Sequence, residues 1–196
     1  PERLFATKVS SLLAELYEAD PDAKTQFVLV PSLDDAFVDA VYPQPPLGDE
    51  DGRGGAVRRD ALFTDLGLGE VEIAGRRGVR TGPDGRASRV HLASNPCTLS
   101  IDGVVVGVTS TDVLFHLASD GCDAGLPPGS RLARLAGHLV RQGSYYPLFP
   151  PALGVPLDMT KAREWEMSVR PDLLVVPSRL ASFARPAEDG NGATLV

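Results

Sequence analysis

The fold of this chain is decided largely by one stretch, Thr98-Leu99-Ser100-Ile101-Asp102-Gly103-Val104-Val105-Val106-Gly107-Val108-Thr109-Ser110-Thr111-Asp112. The apolar runs on both sides of Asp102-Gly103 predict a β-hairpin, because this dipeptide readily adopts the positive φ angles of a tight turn. Residues 109–112 then offer hydroxyl and carboxylate acceptors to the free N–H groups that open a helix. The stretch therefore predicts a hairpin followed by a helix that begins at Val113 and ends near Gly121.

Two other apolar runs end in the same dipeptide. Phe27-Val28-Leu29-Val30 stops at Pro31-Ser32, and Leu173-Leu174-Val175-Val176 stops at Pro177-Ser178. Unbroken apolar runs of this length indicate strands that are buried on both faces. We expect these two strands to be neighbours in one sheet of an α/β fold. Their carboxyl ends would then open on the edge where such folds usually hold an active site.

Three further segments have helical patterning. Residues 2–19 predict an amphipathic helix, and residues 130–143 predict another that begins at a serine cap. A third helix is predicted to start from a cap at Asp158 and to include Met167. Residues 144–151 read Ser-Tyr-Tyr-Pro-Leu-Phe-Pro-Pro. Because proline at this density excludes both helix and central strand, we predict a rigid, extended segment there.

Residues 48–90 differ from the rest of the chain in composition. They hold ten of its twenty glycines, and their eight arginines are balanced by eight acidic residues. Such a polar, Gly-rich segment has little to bury, so we predict a mostly disordered surface insertion rather than a nucleic-acid-binding arm. We expect residues 1–47 and 91–185 to form the two parts of one domain, and residues 186–196 to be a disordered tail.

The composition excludes several classes of protein. The chain has 196 residues and a formal net charge of −7, which disfavours a protein that coats nucleic acid through a field of cations. The two cysteines, Cys97 and Cys122, have neither disulfide nor metal spacing, so a reducing compartment is the simplest interpretation. No apolar run approaches the roughly 20 residues that span a bilayer, so no membrane partner is predicted.

The sequence offers few groups for catalysis. The histidines His91, His116 and His138 lack metal-ligand spacing, and no phosphate-binding Gly-Lys-Ser/Thr loop or Gly-x-Ser-x-Gly turn is present. Asp34 and Asp35 follow the first strand closely enough to hold a divalent ion, although a turn and helix cap is the favoured interpretation. We therefore predict no catalytic residues, no metal site and no cofactor.

Several motifs, in their order and spacing, resemble those of a known family. They are Val41-Tyr42-Pro43-Gln44-Pro45-Pro46, Asn95-Pro96-Cys97 and the runs at residues 106–117, 142–151 and 171–178. Together they are similar to the B subunits, or second-largest subunits, of DNA polymerase alpha. The resemblance covers nearly the whole chain apart from the insertion and the tail.

The resemblance implies an α/β/β/α layered fold of the calcineurin-like phosphoesterase class, incomplete here and without its metal ligands. Active members of that class place His and Asn ligands at strand ends, whereas the corresponding turns here, residues 31–34 and 177–180, hold no histidine. It also implies a C-terminal fragment of a nuclear, non-catalytic scaffold subunit of the DNA polymerase alpha-primase complex. Such a scaffold would bind the C-terminal region of the catalytic subunit, reach the primase subunits through the complex, and contact DNA only indirectly.

The candidate partner-interface residues lie in the two proline-rich aromatic segments and are Tyr42, Gln44, Tyr145, Tyr146, Leu148 and Phe149. A stiff apolar segment suits a partner because little entropy is left to lose on binding. Packing of the tyrosines within the domain, with bonded hydroxyls, remains equally open. Two other functions also remain open. One is a metal-dependent phosphoesterase using Asp34, Asp35 and His138, and the other is the corresponding B subunit of polymerase delta or epsilon.

Overall fold

The computed structural model of the chain describes residues 12, 15, 19, 25–35, 40–46, 72–73, 87–88, 90–121, 131–186 and 194–195. The chain divides into two compact units. Unit 1 comprises residues 1–29 and 45–93, and unit 2 comprises residues 30–44 and 94–196. The described residues combine helices and sheets, which confirms a mixed α/β class. The grouping of residues 1–47 and 91–185 in one domain stays a prediction.

Within unit 1, the described strands form two short pairs. β1 (Phe27–Leu29) runs parallel to β4 (Val90–Leu92), and β2 (Glu72–Ile73) runs antiparallel to β3 (Ala87–Ser88). The first predicted strand is therefore confirmed. It is not buried on both faces, however, because Val28 is 38% exposed.

Two other predictions for unit 1 fall largely on residues outside the described set. Of the predicted helix at residues 2–19, the structure describes residues 12, 15 and 19, and all three are helical. Of the insertion at residues 48–90, it describes the strand residues of β2, β3 and the start of β4. The predicted disorder of the remaining insertion lies outside the described residues.

Unit 2 contains a mixed sheet that has five strands in the described part of the chain, in the order β5-β6-β7-β9-β8. Its members are β5 (Cys97–Ile101), β6 (Val104–Val108), β7 (Leu173–Val175), β8 (Arg185–Pro186) and β9 (Thr194–Leu195). The pairs β5–β6 and β8–β9 are antiparallel, whereas β7 runs parallel to both of its neighbours.

The two Pro-Ser strands are not neighbours, so that prediction was wrong. β1 pairs with β4 in unit 1, and β7 lies between β6 and β9 in unit 2. The reason is that both edges of β7 are already hydrogen-bonded, which leaves no free backbone groups for a third strand. Similar local sequences therefore formed similar strands in different sheets.

The stretch from residue 97 to residue 120 folds as its sequence predicts. Asp102 and Gly103 have φ angles of 49° and 89°, so the Asp-Gly turn closes the β5–β6 hairpin with positive φ at both positions. The Asp112 carboxylate accepts a hydrogen bond of 3.2 Å from the Phe115 amide. That bond caps helix α1 (Val113–Asp120), which ends before Gly121.

The two later helical segments differ in kind. Helix α2 (Arg131–Gln142) buries one apolar face and ends before Gly143, whose φ of 59° suits a glycine. Asp158 caps the next segment as predicted, but Met159–Trp165 is a 3₁₀ helix that stops short of Met167. It stops because residues 165–167 pair instead with residues 143–145. No helix among the described residues is long and apolar enough to cross a membrane.

The core of unit 2 gathers both helices against β7. Leu139 and Leu174 are fully buried there, as is Val113 at the start of α1. The remaining members of the cluster are Tyr42, Leu114, Leu135, Ala136, Val140, Tyr145, Tyr146, Trp165 and Val176. Four aromatic residues thus belong to the same core as the aliphatic faces of the helices.

Residues 186–196 were expected to be a disordered tail. The structure describes residues 186, 194 and 195 of this range, which lie in strands, and the rest of the prediction lies outside the described residues. Pro186 belongs to β8, and Thr194–Leu195 is an inner strand between β7 and β8. Backbone hydrogen bonds stabilise this arrangement, so a segment with few apolar side chains can still complete a sheet. The proline sits on the outermost strand, the place that tolerates its missing N–H.

The close packing of β6 against Tyr145 yields a test at Gly107. A Cβ at this position would lie 2.6 Å from the Tyr145 hydroxyl oxygen and 3.2 Å from Leu174 Cδ1. We expect Gly107→Ala to lower the free energy of unfolding by about 1–3 kcal/mol, because overpacking forces neighbours apart. Urea denaturation of the purified protein measures this change.

The matched control is Gly137→Ala on helix α2. A Cβ there meets only the Arg141 side chain, at 3.7 Å, among the atoms nearby. We expect this variant to raise the free energy of unfolding by about 0.5–1 kcal/mol, because alanine has less backbone entropy than glycine to lose on folding. If Gly107→Ala proves as stable as Gly137→Ala, the packing of Tyr145 on β6 is not as described.

Candidate functional site

The six candidate interface residues fall into two groups in unit 2. Four of them leave at most 3% of their surface exposed and are Tyr42, Gln44, Tyr145 and Tyr146. Leu148 is half-buried, whereas Phe149 is 72% exposed. The buried four therefore pack inside the unit, and Leu148 and Phe149 are the members of the set that reach its surface.

Gln44 takes part in a buried polar network around Asn95. The two residues exchange backbone hydrogen bonds of 2.7 and 3.0 Å, and the Asn95 Nδ2 donates to Gln44 Oε1 at 2.9 Å. Asn95 Oδ1 in turn accepts from the Thr109 hydroxyl and from the Ser110 amide. Gln44 Nε2 donates to the carbonyl of Ser32. These contacts give Gln44 a structural role.

Tyr145 is held against strand β5 by its hydroxyl. The Tyr145 oxygen lies 2.7 Å from Thr98 Oγ1 and donates to the carbonyl of Cys97 at 3.1 Å. Burial raises the pKa of Tyr145, although the bond to Thr98 opposes the rise. Burial also raises the pKa of the Cys97 thiol to about 11, which keeps that cysteine protonated and unreactive.

Tyr146 connects helix α1 to the segment that follows it in sequence. Its hydroxyl oxygen accepts from the Ala152 amide at 3.2 Å and lies 3.4 Å from His116 Nδ1. Burial raises the pKa of Tyr146. Burial has the opposite effect on His116 and lowers its pKa. The positive charge of Arg179 lowers this pKa further, whereas the negative charge of Asp112 raises it.

Tyr42 fixes the other end of the same segment through its backbone. Its amide donates to the Pro156 carbonyl and its carbonyl accepts from the Asp158 amide, both at 2.8 Å. The ring packs 5.7 Å from Tyr146 and 6.0 Å from Trp165, measured between ring centroids. Burial raises the pKa of the Tyr42 hydroxyl well above its ordinary value.

The segment between these two tyrosine contacts, residues 147–159, is named here the anchored loop. Despite its anchors it exposes three large apolar side chains: Phe149 by 72%, Leu153 completely and Met159 by 52%. Leu153 occupies a turn closed by a 3.1 Å bond from the Val155 amide to the Ala152 carbonyl, in which Gly154 has a φ of 86°.

A groove of about 580 Å³ opens beside the anchored loop. Eight of its twelve lining residues are apolar or aromatic, including Leu148, Phe149, Met159, Trp165 and Met167. The other four are Gln142, Gly143, Ser144 and Glu166, so polar groups also face the groove. Among the described residues that line it, Glu166 alone is charged. A concave surface of this composition is suited to binding apolar side chains rather than to acid–base chemistry.

Sequence reasoning found two of these surface residues and missed the others. Leu153, Met159 and Met167 lie beyond the proline-rich run and do not repeat at any period, so no pattern singled them out. The available signal was Leu153-Gly154 shortly after Pro150-Pro151, since this composition marks a turn and turns lie at the surface.

The carboxyl ends of β6 and β7 hold an ion pair. Asp112 Oδ2 accepts from the Arg179 amide at 3.0 Å and from its Nε at 3.1 Å, and the guanidinium lies 4.4 Å from the Phe115 ring centroid. Burial alone would raise the pKa of Asp112, but the hydrogen bonds from Arg179, Ser178 and Phe115 together lower it. This carboxylate is therefore committed to structural donors.

The residues of the phosphoesterase alternative are not assembled into a site. Asp34 and Asp35 belong to a turn in which the Ser32 amide donates to Asp35 Oδ2 at 2.7 Å and the Asp34 amide donates to the Ser32 hydroxyl. His138 is exposed on helix α2. In the described ranges, no three His, Cys, Asp or Glu side chains form a group that could hold a metal ion.

Comparison with known proteins gives a consistent family. A family model that describes the B subunit of DNA polymerase alpha/epsilon matches residues 2–185. The DNA polymerase alpha B subunit of Bos taurus is 32% identical over 92% of this chain and 25% of its own length. The protein of the same name from Rattus norvegicus is 32% identical over 88% of this chain and 24% of its own length.

A third relative matches less of the chain. The DNA polymerase alpha B subunit of Drosophila melanogaster is 34% identical over 51% of this chain and 16% of its own length. The chain spans about a quarter of the length of the two mammalian relatives named above.

The contrasting environments of two buried tyrosine hydroxyls yield a stability test. Among the described residues, the Tyr42 hydroxyl is a buried oxygen that makes no well-formed hydrogen bond, although the Thr109 side chain is near enough to oppose the rise in its pKa, whereas the Tyr145 hydroxyl has two polar partners. We expect Tyr145→Phe to cost about 1–3 kcal/mol of unfolding free energy and Tyr42→Phe to cost less than about 0.5 kcal/mol. Denaturant titration of both variants checks the difference, and an equal loss would contradict it.

The half-buried His116 predicts a pH dependence of stability. Because its pKa in the folded protein lies below 6.5, the unfolded chain binds a proton before the folded chain does. The stabilisation is fully present above about pH 6.5 and is lost as the pH falls from there through the lower folded pKa. We expect His116→Gln to flatten the fall in melting temperature between pH 7.5 and pH 5.5.

The matched control for this test is His138→Gln, because His138 is exposed on helix α2. It should keep the wild-type dependence on pH. A wild-type protein whose melting temperature rises as the pH falls across this range would contradict the assignment to His116.

Proposed function

The chain belongs to the family of DNA polymerase alpha/epsilon B subunits, and from that premise we propose that it acts as a non-catalytic accessory subunit of the DNA polymerase alpha-primase complex. The observation that carries this proposal is the family match across residues 2–185. The mammalian relatives, which are named as B subunits of polymerase alpha and are 32% identical, support alpha over epsilon or delta.

The proposed role is that of a scaffold. The chain would bind the C-terminal region of the catalytic subunit, reach the primase subunits through the complex, and act in the nucleus at the initiation of DNA replication. Its net charge of −7 is consistent with contacts to protein and with only indirect contact to DNA. The exposed apolar side chains of the anchored loop, Phe149, Leu153 and Met159, supply a surface for such contacts.

We further propose that the fold is an α/β/β/α layered phosphoesterase fold of the calcineurin-like class that no longer performs catalysis. The strand ends support the loss of catalysis, because Asp112 is engaged by Arg179 and by the Phe115 amide instead of standing free to bind a metal. The turn from Ser32 to Asp35 likewise uses its carboxylate as an acceptor for a backbone amide.

Co-purification tests the scaffold role. We expect the full-length chain to form a stable one-to-one complex with the C-terminal region of the alpha catalytic subunit of the same organism, measured by size-exclusion chromatography with light scattering. The corresponding regions of the delta and epsilon catalytic subunits are the controls. Separate elution from the alpha region, or preferential association with a control, would overturn the assignment.

Hydrolysis assays test the loss of catalysis. We expect the full-length protein with Mn²⁺ to hydrolyse bis(p-nitrophenyl) phosphate no faster than its Asp34→Ala, Asp35→Ala double variant. The reason is that neither carboxylate has a ligand set around it among the described residues. Turnover that requires Mn²⁺ and disappears in the double variant would favour the phosphoesterase alternative.

A further inference from the structure

We propose that the groove beside the anchored loop is the seat for one apolar segment of the catalytic subunit, and that this segment places a lysine or arginine side chain opposite Glu166. This inference rests on the proposed function, since it names the surface through which the catalytic partner is bound. It is carried by three observations within unit 2, namely the exposed apolar side chains, the rigidity of their frame, and the charge of the lining.

The first observation is an unusual concentration of exposed apolar surface. Phe149 and Met159 line the groove and are 72% and 52% exposed, and Leu153 on the adjoining turn is completely exposed. Three such residues within eleven positions of one loop form a patch, not scattered single side chains. Burying them against a partner removes apolar area from water.

The second observation is that hydrogen bonds connect the backbone segments under the groove to one another. The Tyr145 amide donates to the Trp165 carbonyl at 2.8 Å, and the Met167 amide donates to the Gly143 carbonyl at 2.7 Å. The Tyr146 hydroxyl accepts from Ala152, as described above. A frame that is already ordered loses little conformational entropy on binding, which favours a specific site over a passively exposed loop.

The third observation concerns charge and side-chain type. Glu166 is the one charged residue among those lining the groove, so an occupant that brings a cation there gains a favourable pairing. Both methionines of the 196-residue sequence, Met159 and Met167, line the same groove. Methionine adapts its shape to an apolar partner, and methionine and aromatic residues are enriched in interface cores.

The same charges argue against a second copy of this chain as the occupant. A two-fold contact between two copies through this groove would bring their Glu166 side chains toward each other, with no cation among the described lining residues to offset the repulsion. A positively charged apolar segment of a different protein avoids that repulsion. Under the proposed function, that different protein is the catalytic subunit.

Binding by surface variants tests the proposal. We expect Phe149→Ser with Met159→Ser in the full-length chain to weaken the dissociation constant for the catalytic subunit's C-terminal region at least tenfold. The control is Ile101→Ser at the tip of the β5–β6 hairpin, because Ile101 is 51% exposed and does not line the groove. The control should bind as the wild type does. Isothermal titration calorimetry measures all three proteins.

A charge change tests the second half of the proposal. Glu166→Lys should weaken binding, and Glu166→Gln should weaken it less. We expect one lysine or arginine of the catalytic-subunit region, when exchanged for glutamate, to restore binding between that region and the Glu166→Lys variant, and to restore it for no other variant. Equal affinity of wild type and Glu166→Lys would overturn the pairing with a basic side chain.

These outcomes distinguish failure of the function from failure of the groove. If the wild-type chain does not bind the catalytic subunit, the proposed function fails. If the wild type binds and the Phe149→Ser, Met159→Ser variant binds equally well, the proposed function stands and the assignment of the groove is overturned.

A footprint on Met159 distinguishes other occupants. In the free full-length protein we expect peroxide to oxidise Met159 readily, and in the complex we expect mass spectrometry to show slower oxidation. Protection of Met159 in the free protein would mean that another part of its own chain or a second copy already fills the groove. That result would overturn the proposal, and light scattering would tell which of the two is present.

Discussion

The side chain of Asn95 joins segments of unit 2 that are far apart in sequence. Its carboxamide donates to Gln44 and accepts from Thr109 and Ser110, and it is fully buried. A buried amide is tolerated only when its donors and acceptors are satisfied. The start of β5, the end of β6 and the segment through Tyr42 must therefore stay in register with one another. Everything built on those segments depends on this network, including the anchored loop.

The anchored loop combines a buried attachment with an exposed apolar surface. Tyr42 and Tyr146 hold its two ends through backbone and hydroxyl contacts, while Phe149, Leu153 and Met159 face outward. Tyr42 and Tyr146, for which sequence analysis left a partner surface and internal packing equally open, thus support Phe149, which was also a candidate, and Leu153 and Met159, which were not. Loss of a support would displace the surface without removing any residue from it, which makes the two roles separable by experiment.

What could be predicted from sequence depended on how local each signal was. The hairpin around Asp102-Gly103 and the cap at Asp112 are encoded within a few residues, and both folded as expected. The pairing of β1 with β4 and the insertion of Thr194–Leu195 beside β7 depend on which distant backbone edge is free. No local pattern carries that information, so these two arrangements were missed. The mixed α/β class was predicted correctly because it depends only on which helices and strands form, and not on how the strands pair.

The candidate site shows the same limit. The sequence of residues 144–151 predicted a stiff aromatic segment. It did not predict which rings point inward, because the aromatic residues of this segment have similar apolar character. Tyr145 and Tyr146 are adjacent and both buried, whereas Phe149 lies outside. The two buried hydroxyls have partners, Thr98 for Tyr145 and the Ala152 amide for Tyr146. Those partners become neighbours only in the folded chain.

The ion pair at the end of β7 has a consequence for natural variation. The Asp112 side chain is 17% exposed and serves three donors, whereas the Arg179 side chain is 67% exposed and serves mainly that one carboxylate. Water can replace Arg179, but only another helix-capping side chain can replace Asp112. We therefore expect the two positions to differ in how much their residue type varies. Position 112 should be confined to Asp, Asn, Ser or Thr across the family, while position 179 is free to drift.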